Sequence, residues 1–218
     1  MASKDAMITV YGRATSSNVQ AVMWAIAELG LDHERLDYGG RHGGTDTPEF
    51  LAMNPNGLVP VVRDGDHVPM FEAGAIMRTL ATAYGSAPFW PAEPYERAPV
   101  DMWAEWAKTT ACAAFTGPIF WAVVRTPKEK QDPGAIARAV ERFDRVLAIA
   151  EDRLSKNRYL AGDDFTMADI QFGHILYRYF DIDITRPSRP ALEAYYERLT
   201  ERPAYRDHVM VSYDELKA

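Results

Sequence analysis

A cluster of short polar side chains precedes the first helical pattern of the chain. Thr15, Ser16, Ser17 and Asn18 are all residue types that cap helix N-termini. Apolar residues then recur at helical spacing up to Gly30, at Val19, Val22, Met23, Ile26 and Leu29. A hydroxyl at the positive end of a helix can stabilise an anion, so this loop is the first candidate for chemistry. A simple helix cap needs the same residue type at the same place, and the cluster alone leaves both roles open.

The second candidate is the stretch from Met53 to Glu72, with the sequence M-N-P-N-G-L-V-P-V-V-R-D-G-D-H-V-P-M-F-E. Its N-P-N-G turn leads to Val59-Pro60, and a second turn follows at Asp64-Gly65. We predict two short strands joined at this second turn. Since proline has no N–H to donate, Pro60 is expected at a strand start or on an edge. Glu72 stands just before a helical pattern, where the helix dipole favours a carboxylate.

The composition restricts the classes of function. The 218 residues allow one large domain or two small ones, and 47% hydrophobic with 25% charged residues is ordinary for a soluble globular protein. A net charge of −7 argues against a general binder of nucleic acid or anionic membranes. Cys112 is the single cysteine, so no internal disulfide is expected. The five histidines do not have the spacing of metal ligands, so no metal site is expected.

Three features favour a cytoplasmic protein. A single cysteine fits a reducing compartment. The starting residues M-A-S-K-D-A-M lack the apolar run of a signal peptide. No segment approaches the roughly 20 apolar residues of a membrane span. We therefore expect a cytoplasmic enzyme or binding protein without a membrane partner.

The first 84 residues predict a small α/β domain. Strands are expected at 7–11 and 33–36, on either side of a helix that follows the serine-rich loop and is capped at Gly30. A Gly-rich loop at 37–47, a helical turn at 48–53, the two short strands and a helix at 72–84 complete it. The first half of this order favours a parallel strand pair, and the second half favours a hairpin followed by a helix.

The rest of the chain predicts an all-helical domain. Residues 85–94, G-S-A-P-F-W-P-A-E-P, have three prolines and no helical periodicity, which indicates a linker. Helices are expected at 95–125, with a kink or break at Gly117-Pro118, and at 131–156, 166–180, 189–199 and 203–213. The expected organisation is an α/β domain at 1–84, a linker at 85–94 and a helical domain at 95–218.

Three segments together resemble the cytosolic glutathione transferase family. They are the serine-rich loop, the N-P-N-G-L-V-P-V turn with its trailing F-E, and Y-L-A-G-D-D-F-T-M-A-D-I at 159–170. The resemblance covers about residues 7–211 and points to serine-dependent bacterial members near the theta, zeta and nu groups. It implies a thioredoxin-like first domain, an all-helical second domain, glutathione as co-substrate, a small electrophilic substrate and a homodimer. With no cysteine before Cys112, the cysteine-based chemistry of other classes has no nucleophile at its usual place.

The resemblance implies that Ser16 donates to the glutathione sulfur. A free thiol has a pKa of about 8.5, so a donor is needed to favour the thiolate at neutral pH. Ser17 and Asn18 are near alternatives, and the matching pair of nu-like members falls on Ser16 and Asn18. Tyr11 is expected to be a strand residue, because it lies too far before the helix to match the catalytic tyrosine of other classes of the family.

The resemblance also implies a binding site for the rest of the tripeptide. Val59 would bind its cysteinyl part through the main-chain N–H and C=O, next to a cis Pro60. Glu72 would meet the α-amino group of the γ-glutamyl moiety. Arg41 and His42 lie in the loop that approaches the glycine end, although an exposed loop cation is more often simply solvated.

Two positions depart from the family pattern. Ala73 stands where a serine usually binds the γ-glutamyl carboxylate, and Leu58 stands where Lys, Arg or Gln is frequent. A side-chain hydrogen bond to a charged group is worth roughly 1.5–3 kcal/mol, so each loss predicts about a tenfold or greater fall in affinity. A second hypothesis follows: a binding or structural protein of this fold with weak or no catalysis. The combination of Ser16, Asn18 and Glu72 favours the enzyme.

Two features of the helical half complete the expectations. In this family the helix after the linker faces the active site, which makes Trp106, Phe115 and Arg125 candidates for the substrate pocket, although such aromatics are more often core. Thr166 and Asp169 match a capping box with Asp in place of Glu, for which we expect a folding role without chemistry.

Overall fold

The computed structural model describes residues 7–218, and its first half is built on a four-stranded sheet with the order β2-β1-β3-β4. The strands are β1 (Ile8–Tyr11), β2 (His33–Leu36), β3 (Val61–Asp64) and β4 (Met70–Phe71). β1 pairs parallel with β2 and antiparallel with β3, and β3 pairs antiparallel with β4. The parallel pair and the hairpin are those predicted from the order of strands and helices.

Three helices accompany the sheet: α1 (Ser17–Glu28), α2 (Pro48–Met53) and α3 (Ala73–Tyr84). Every residue of α1 from 19 to 26 is buried, as is typical of a helix covered on several sides. It packs against α3 and also against helices of the second half of the chain. α1 as a whole is therefore held by both halves of the chain.

The second half is helical throughout its regular elements, as predicted. Its helices are α4 (Pro94–Trp106), α5 (Ala113–Phe115), α6 (Ala122–Val124), α7 (Pro133–Leu154), α8 (Met167–Gly173), α9 (Leu176–Asp181), α10 (Pro190–Thr200) and α11 (Pro203–His208). Two π-helical segments, Ala107–Cys112 and Thr116–Trp121, keep the chain helical from α4 to α6. The predicted kink at Gly117-Pro118 falls within the second π-helical segment.

Two predicted helices differ from the structure. The single helix expected at 166–180 is divided into α8 and α9 by a turn at residues 174–175. The helix expected at 203–213 ends at His208, and a 3₁₀ turn at Asp214–Leu216 follows. At the first break His174 and Ile175 are buried, so the burial pattern continues through the turn and does not reveal where α8 ends. After His208, Val209 and Tyr213 are buried, and they continue the apolar pattern past the end of α11.

A continuous hydrophobic core joins the two halves. The Trp24 ring, on α1, lies 4.7 Å from the Tyr205 ring of α11 and 5.6 Å from that of Phe165. At the end of α1, Glu28 pairs with Arg202 at 2.6 Å. Aromatic packing and this ion pair fix the direction of α1 relative to the helical half.

Asp169 is the centre of a buried network at the start of α8. Its carboxylate accepts from the main-chain N–H of Thr166 (2.8 Å), from that of Leu160 (3.0 Å) and from the Tyr195 hydroxyl (3.0 Å). The predicted capping box is thus confirmed. Complete burial raises the pKa of Asp169 to about 6.

Candidate active site

The register of the sheet brings the three candidate segments together. Tyr11 of β1 lies opposite Val61 of β3, and Val61 lies opposite Phe71 of β4. The serine-rich loop follows Tyr11, Val59 lies two residues before Val61, and Glu72 comes directly after Phe71. All three segments therefore meet at one end of the sheet, as a shared site requires.

Ser16 presents a hydroxyl that the helix does not use. It is the N-cap residue of α1, with φ −80° and ψ 122°, and its carbonyl accepts from the Gln20 N–H at 2.9 Å. Its side chain makes no capping hydrogen bond and is half-buried. The hydroxyl is therefore available to an anion at the positive end of α1, which favours the chemical role over the simple cap. Ser17, the next residue and the first of α1, is also half-buried.

Asn18 is connected to the helical half of the chain. The Lys108 ammonium, in the first π-helical segment, donates to Oδ1 of Asn18 at 2.8 Å. This bond fixes the amide group of Asn18, two residues after Ser16. It also places a cation beside the candidate site, where an anion would be stabilised.

The Val59-Pro60 peptide bond is cis, as expected. Gly12 lets β1, α1 and this segment approach one another, since a Cβ at Gly12 would lie 2.5 Å from Val19 Cγ2 and 3.3 Å from Val59 Cβ. The buried Asn54 amide donates to the Leu58 carbonyl at 2.7 Å. The main chain before Val59 is therefore fixed, while the Leu58 side chain is 64% exposed.

Glu72 has an unusual backbone conformation. With φ 66° it is the one non-glycine residue at positive φ between residues 7 and 218. Such a conformation costs on the order of 1–3 kcal/mol and is concentrated at functional sites. Glu72 is the N-cap residue of α3, but its exposed carboxylate makes no capping bond, so it is available to a ligand.

Ala73 is buried, and as the first residue of α3 it has an N–H without an acceptor within the helix. This N–H is therefore a donor available to a ligand, and the methyl side chain of Ala73 adds no second donor.

The Gly-rich loop carries Arg41 and His42 on a 3₁₀ turn, Gly40–His42. Its glycines all have positive φ, which explains why the loop needs them: Gly39, Gly40, Gly43 and Gly44. Arg41 pairs with Glu215 at 2.8 Å, and His42 lies 3.9 Å from Asp37. Neither side chain is brought to the Ser16 hydroxyl by a hydrogen bond, and Arg41 has an acidic partner.

The three residues predicted for a substrate pocket have different surroundings. Trp106 is half-buried between Trp103, at 5.2 Å, and Phe172, at 5.5 Å. Arg125 is exposed and lies over the Trp121 ring at 5.2 Å. Both remain candidates.

Phe115 is a core residue. It is 1% exposed because α5 packs against α7, where its ring lies 5.3 Å from that of Phe143. This burial speaks against the pocket role that the sequence suggested for Phe115.

Sequence reasoning missed the residues that hold the loop before Ser16. Thr15 is buried; its hydroxyl donates to Glu215, and its carbonyl accepts from Nη2 of Arg178 at 2.7 Å. These contacts border a cavity of about 360 Å³ lined also by Arg41 and Ser212. No local pattern marks these partners, because residues 178 and 215 are far from Thr15 in sequence.

Residues 7–218 contain neither a membrane-spanning helix nor a cluster of metal ligands. None of the helices in this range combines the length and apolar character needed to cross a bilayer. Within the same residues, no group of three or more His, Cys, Asp or Glu side chains is arranged to hold a metal ion.

Comparison with known proteins covers nearly the whole chain. Residues 15–83 match the glutathione S-transferase N-terminal domain, and residues 110–203 match the C-terminal domain of the same family. Glutathione S-transferase GstB of Escherichia coli K12 is 39% identical over 206 residues, which cover 94% of this chain and 99% of the relative. Glutathione S-transferase 3 of Zea mays is 32% identical over 212 residues, covering 94% of each chain.

A solved structure is also similar over nearly the whole chain. The theta class glutathione S-transferase of Xanthomonas axonopodis pv. citri, with glutathione bound, has a TM-score of 0.89 and 41% identity. The match covers 95% of this chain and 99% of that one.

Proposed function

Because this chain belongs to the glutathione S-transferase family, we propose that it conjugates glutathione to small electrophilic, hydrophobic substrates. The observation that carries the proposal is the free Ser16 hydroxyl at the start of α1, at the same sheet end as Val59 and Glu72. The glutathione bound to the similar theta class structure supports the choice of co-substrate.

In the proposed reaction, Ser16 donates a hydrogen bond to the glutathione sulfur and favours the thiolate. The thiol proton passes to water. The sulfur then forms a bond to the electrophilic atom of the substrate, and the leaving group departs with the electrons of the bond that breaks. Asn18, fixed by Lys108, contributes a second polar group two residues after Ser16, and Ser17 is the alternative donor.

Glutathione binding is assigned to the main chain more than to side chains. Val59, beside Pro60, binds the cysteinyl part, and the main chain of Leu58 supports it. Glu72 meets the amino group, and the Ala73 N–H meets the carboxylate of the γ-glutamyl moiety. Arg41 and His42 are placed near the glycine end.

The electrophile is assigned to the helical half, with Trp106 and Arg125 as candidate contacts. The boundaries proposed for the two domains are 1–84 and 95–218, and the end of α3 at Tyr84 and the start of α4 at Pro94 support them. The single cysteine supports a cytoplasmic location.

A homodimer is proposed as the assembly. Large apolar side chains are exposed on and beside the edge strand β4 and on α4: Val68, Phe71, Tyr95 and Met102. A second copy would remove them from water. Sedimentation analysis tests this, and a monomer at micromolar concentration would contradict it.

The alternative function is a glutathione-transferase-like binding or structural protein without appreciable turnover. Ala73 and the exposed Leu58 favour it, because both lack the side-chain donors that the family usually supplies. Peroxide reduction is a further reaction open to the same thiolate.

The deciding experiment is retention on immobilised glutathione followed by a conjugation assay with a generic aromatic electrophile. Retention and turnover are expected. Ser16→Ala should lower kcat about a hundredfold, because removal of one hydrogen-bond donor to a reacting anion has an effect of this size. The affinity for glutathione should be largely kept. Ser155→Ala, which changes a serine at the end of α7, is the matched control and should have wild-type activity.

Retention without turnover would favour the binding protein. An unchanged rate in Ser16→Ala, together with a loss in Ser17→Ala or Asn18→Ala, would assign the thiol contact to one of those residues instead.

A further inference from the structure

Arg178, on α9, is a buried arginine without an acidic partner. It is 3% exposed, and none of the ion pairs among residues 7–218 includes it. Burial of a charge is costly unless nearby groups compensate for lost water. An arginine in this position therefore requires an explanation from its contacts.

The guanidinium of Arg178 points at the loop that carries Ser16. Its Nη2 donates to the Thr15 carbonyl at 2.7 Å. Its Cζ lies over the ring of Phe120 at 4.6 Å and near that of Tyr213 at 5.8 Å. Two aromatic faces and one carbonyl are the groups that compensate its charge, and the carbonyl belongs to the other half of the chain.

The Thr15 carbonyl is part of the peptide group that leads into Ser16. The N–H of that same peptide, on Ser16, donates to the Arg13 carbonyl at 3.1 Å. Because a peptide group is planar, bonds at both ends fix the orientation of the whole plane. The Ser16 side chain leaves the main chain at the next atom, so its direction depends on this plane.

A second contact from the helical half holds the same residue. Glu215 accepts from the Thr15 hydroxyl and also pairs with Arg41. Thr15 is thus bound at its carbonyl by Arg178 and at its hydroxyl by Glu215. Both partners lie outside the glutathione-binding segments described above.

We propose that Arg178 is a positioning residue for the thiol chemistry: it orients the Thr15–Ser16 peptide so that the Ser16 hydroxyl faces the glutathione sulfur. This proposal rests on the proposed glutathione transferase function. Arg178 touches neither glutathione nor the electrophile and acts through Ser16. Its buried positive charge favours the thiolate in the same direction.

Other charged groups surround the loop and share in its electrostatics. They are Arg13, Lys108, Arg125 and Arg41 as cations and Glu215 as an anion. Desolvation by burial lowers the pKa of Arg178 to about 10, which leaves it charged at neutral pH. Its contribution is therefore constant across the pH range in which a bound thiol titrates.

The test compares R178M, R178K and the wild-type protein, with R202M and R202K as matched controls. Arg202 also joins the helical half to α1, but at Glu28, the opposite end of that helix. Amide hydrogen exchange of the peptide around Ser16 is measured without glutathione. The pKa of the bound thiol is followed by thiolate absorbance, and kcat and KM are measured separately.

We expect R178M to speed exchange around Ser16, to lower kcat about tenfold and to raise the pKa of the bound thiol by about one unit, with little change in the KM for glutathione. R178K keeps the positive charge and a donor, so it should restore most of the wild-type behaviour. A variant that merely destabilised the protein would not lower kcat while leaving the KM for glutathione unchanged. R202M should change exchange near Glu28 and leave the thiol pKa as it is.

Equal thiol pKa values in R178M and wild type, or the same loss in R202M, would overturn the proposal. If R178M proves too unstable to purify, R178Q takes its place: it removes the positive charge, so the pKa of the bound thiol should still rise, and an unchanged thiol pKa would overturn the proposal. If the wild-type protein does not bind glutathione while R178M still loosens the Ser16 peptide, the glutathione function fails and the positioning contact stands.

Discussion

The ammonium group of Lys108 donates to the amide oxygen of Asn18 at 2.8 Å, and this bond joins the first π-helical segment to the start of α1. The two residues lie 90 positions apart in the chain. The helical half therefore contributes directly to the polar groups around Ser16. It does more than supply a surface for the electrophile.

Replacing Lys108 with Met should lower kcat/KM about tenfold or more. The variant removes one charge-assisted hydrogen bond, worth roughly 1.5–3 kcal/mol, together with a cation that favours the thiolate. Steady-state conjugation kinetics measure the effect. Lys156→Met, which removes an exposed lysine paired with Asp152, is the control and should match the wild-type rate. Equal rates in both variants would show that Asn18 needs no partner.

Replacing Glu72 with Gln should raise the KM for glutathione about tenfold, because the amino group of the tripeptide loses an opposite charge. Folding stability should stay unchanged, since the exposed carboxylate makes no bond to α3. Glu93→Gln offers a close control: Glu93 is an exposed N-cap residue of α4 that also makes no capping bond. Calorimetric titration with glutathione measures affinity directly, and an unaltered Kd in Glu72→Gln would exclude the assigned contact.

Replacing Asp169 with Ala should lower the free energy of unfolding by about 3 kcal/mol or more, because four buried donors lose their acceptor. Those donors are the N–H groups of Leu160 and Thr166 and the hydroxyls of Thr166 and Tyr195. The control Asp132→Ala removes an exposed cap from α7 and should cost about 1 kcal/mol. Urea denaturation compares the two, and equal losses would mean that the network adds nothing to the cap.

The buried side chain of His174 should make the folded protein less stable in acid. Burial, followed by the charge of Lys108, lowers its pKa to about 3, against about 6.5 in the unfolded chain. Since the unfolded state binds the proton more readily, stability is lost as the pH falls below 6.5. The loss from this residue alone is about 2 kcal/mol between pH 7 and pH 5.

His174→Gln should remove that dependence, and His67→Gln, which changes an exposed histidine, should keep it. The raised pKa of Asp169 acts in the opposite direction, stabilising the fold as the pH falls through about 6. Because Asp169 is present in every variant, the difference between denaturation curves at pH 7 and pH 5 isolates the histidine. Identical pH dependence in wild type and His174→Gln would contradict the assignment.

The sequence predicted the architecture of the first half closely, since its elements are short and bounded by glycine, proline and cap residues. β2 and α2 have the predicted bounds, and α3 starts one residue later than expected, at Ala73. Local patterns predicted the parallel strand pair and the hairpin, whereas the resemblance grouped Ser16, Val59 and Glu72 into one site. The resemblance, rather than periodicity, supplied the cis form of Val59-Pro60.

What escaped prediction depends on contacts between distant residues. No local pattern distinguishes the two π-helical segments from an α-helix. The resemblance makes Phe115 a candidate for the pocket, yet α7 covers it, as the alternative core role requires. Arg178 and Glu215 had no local pattern to indicate that they bind Thr15.

The bond between Arg178 and Thr15 also has a consequence for how the protein is made. N-terminal segments fold first during synthesis, and β1, α1 and β2 are close enough in sequence to pair soon after they leave the ribosome. The Thr15 carbonyl, however, has as its partner Arg178, which is translated 163 positions later. The nascent chain therefore acquires its sheet early, and the orientation of Ser16 is completed only once α9 has been translated and packed.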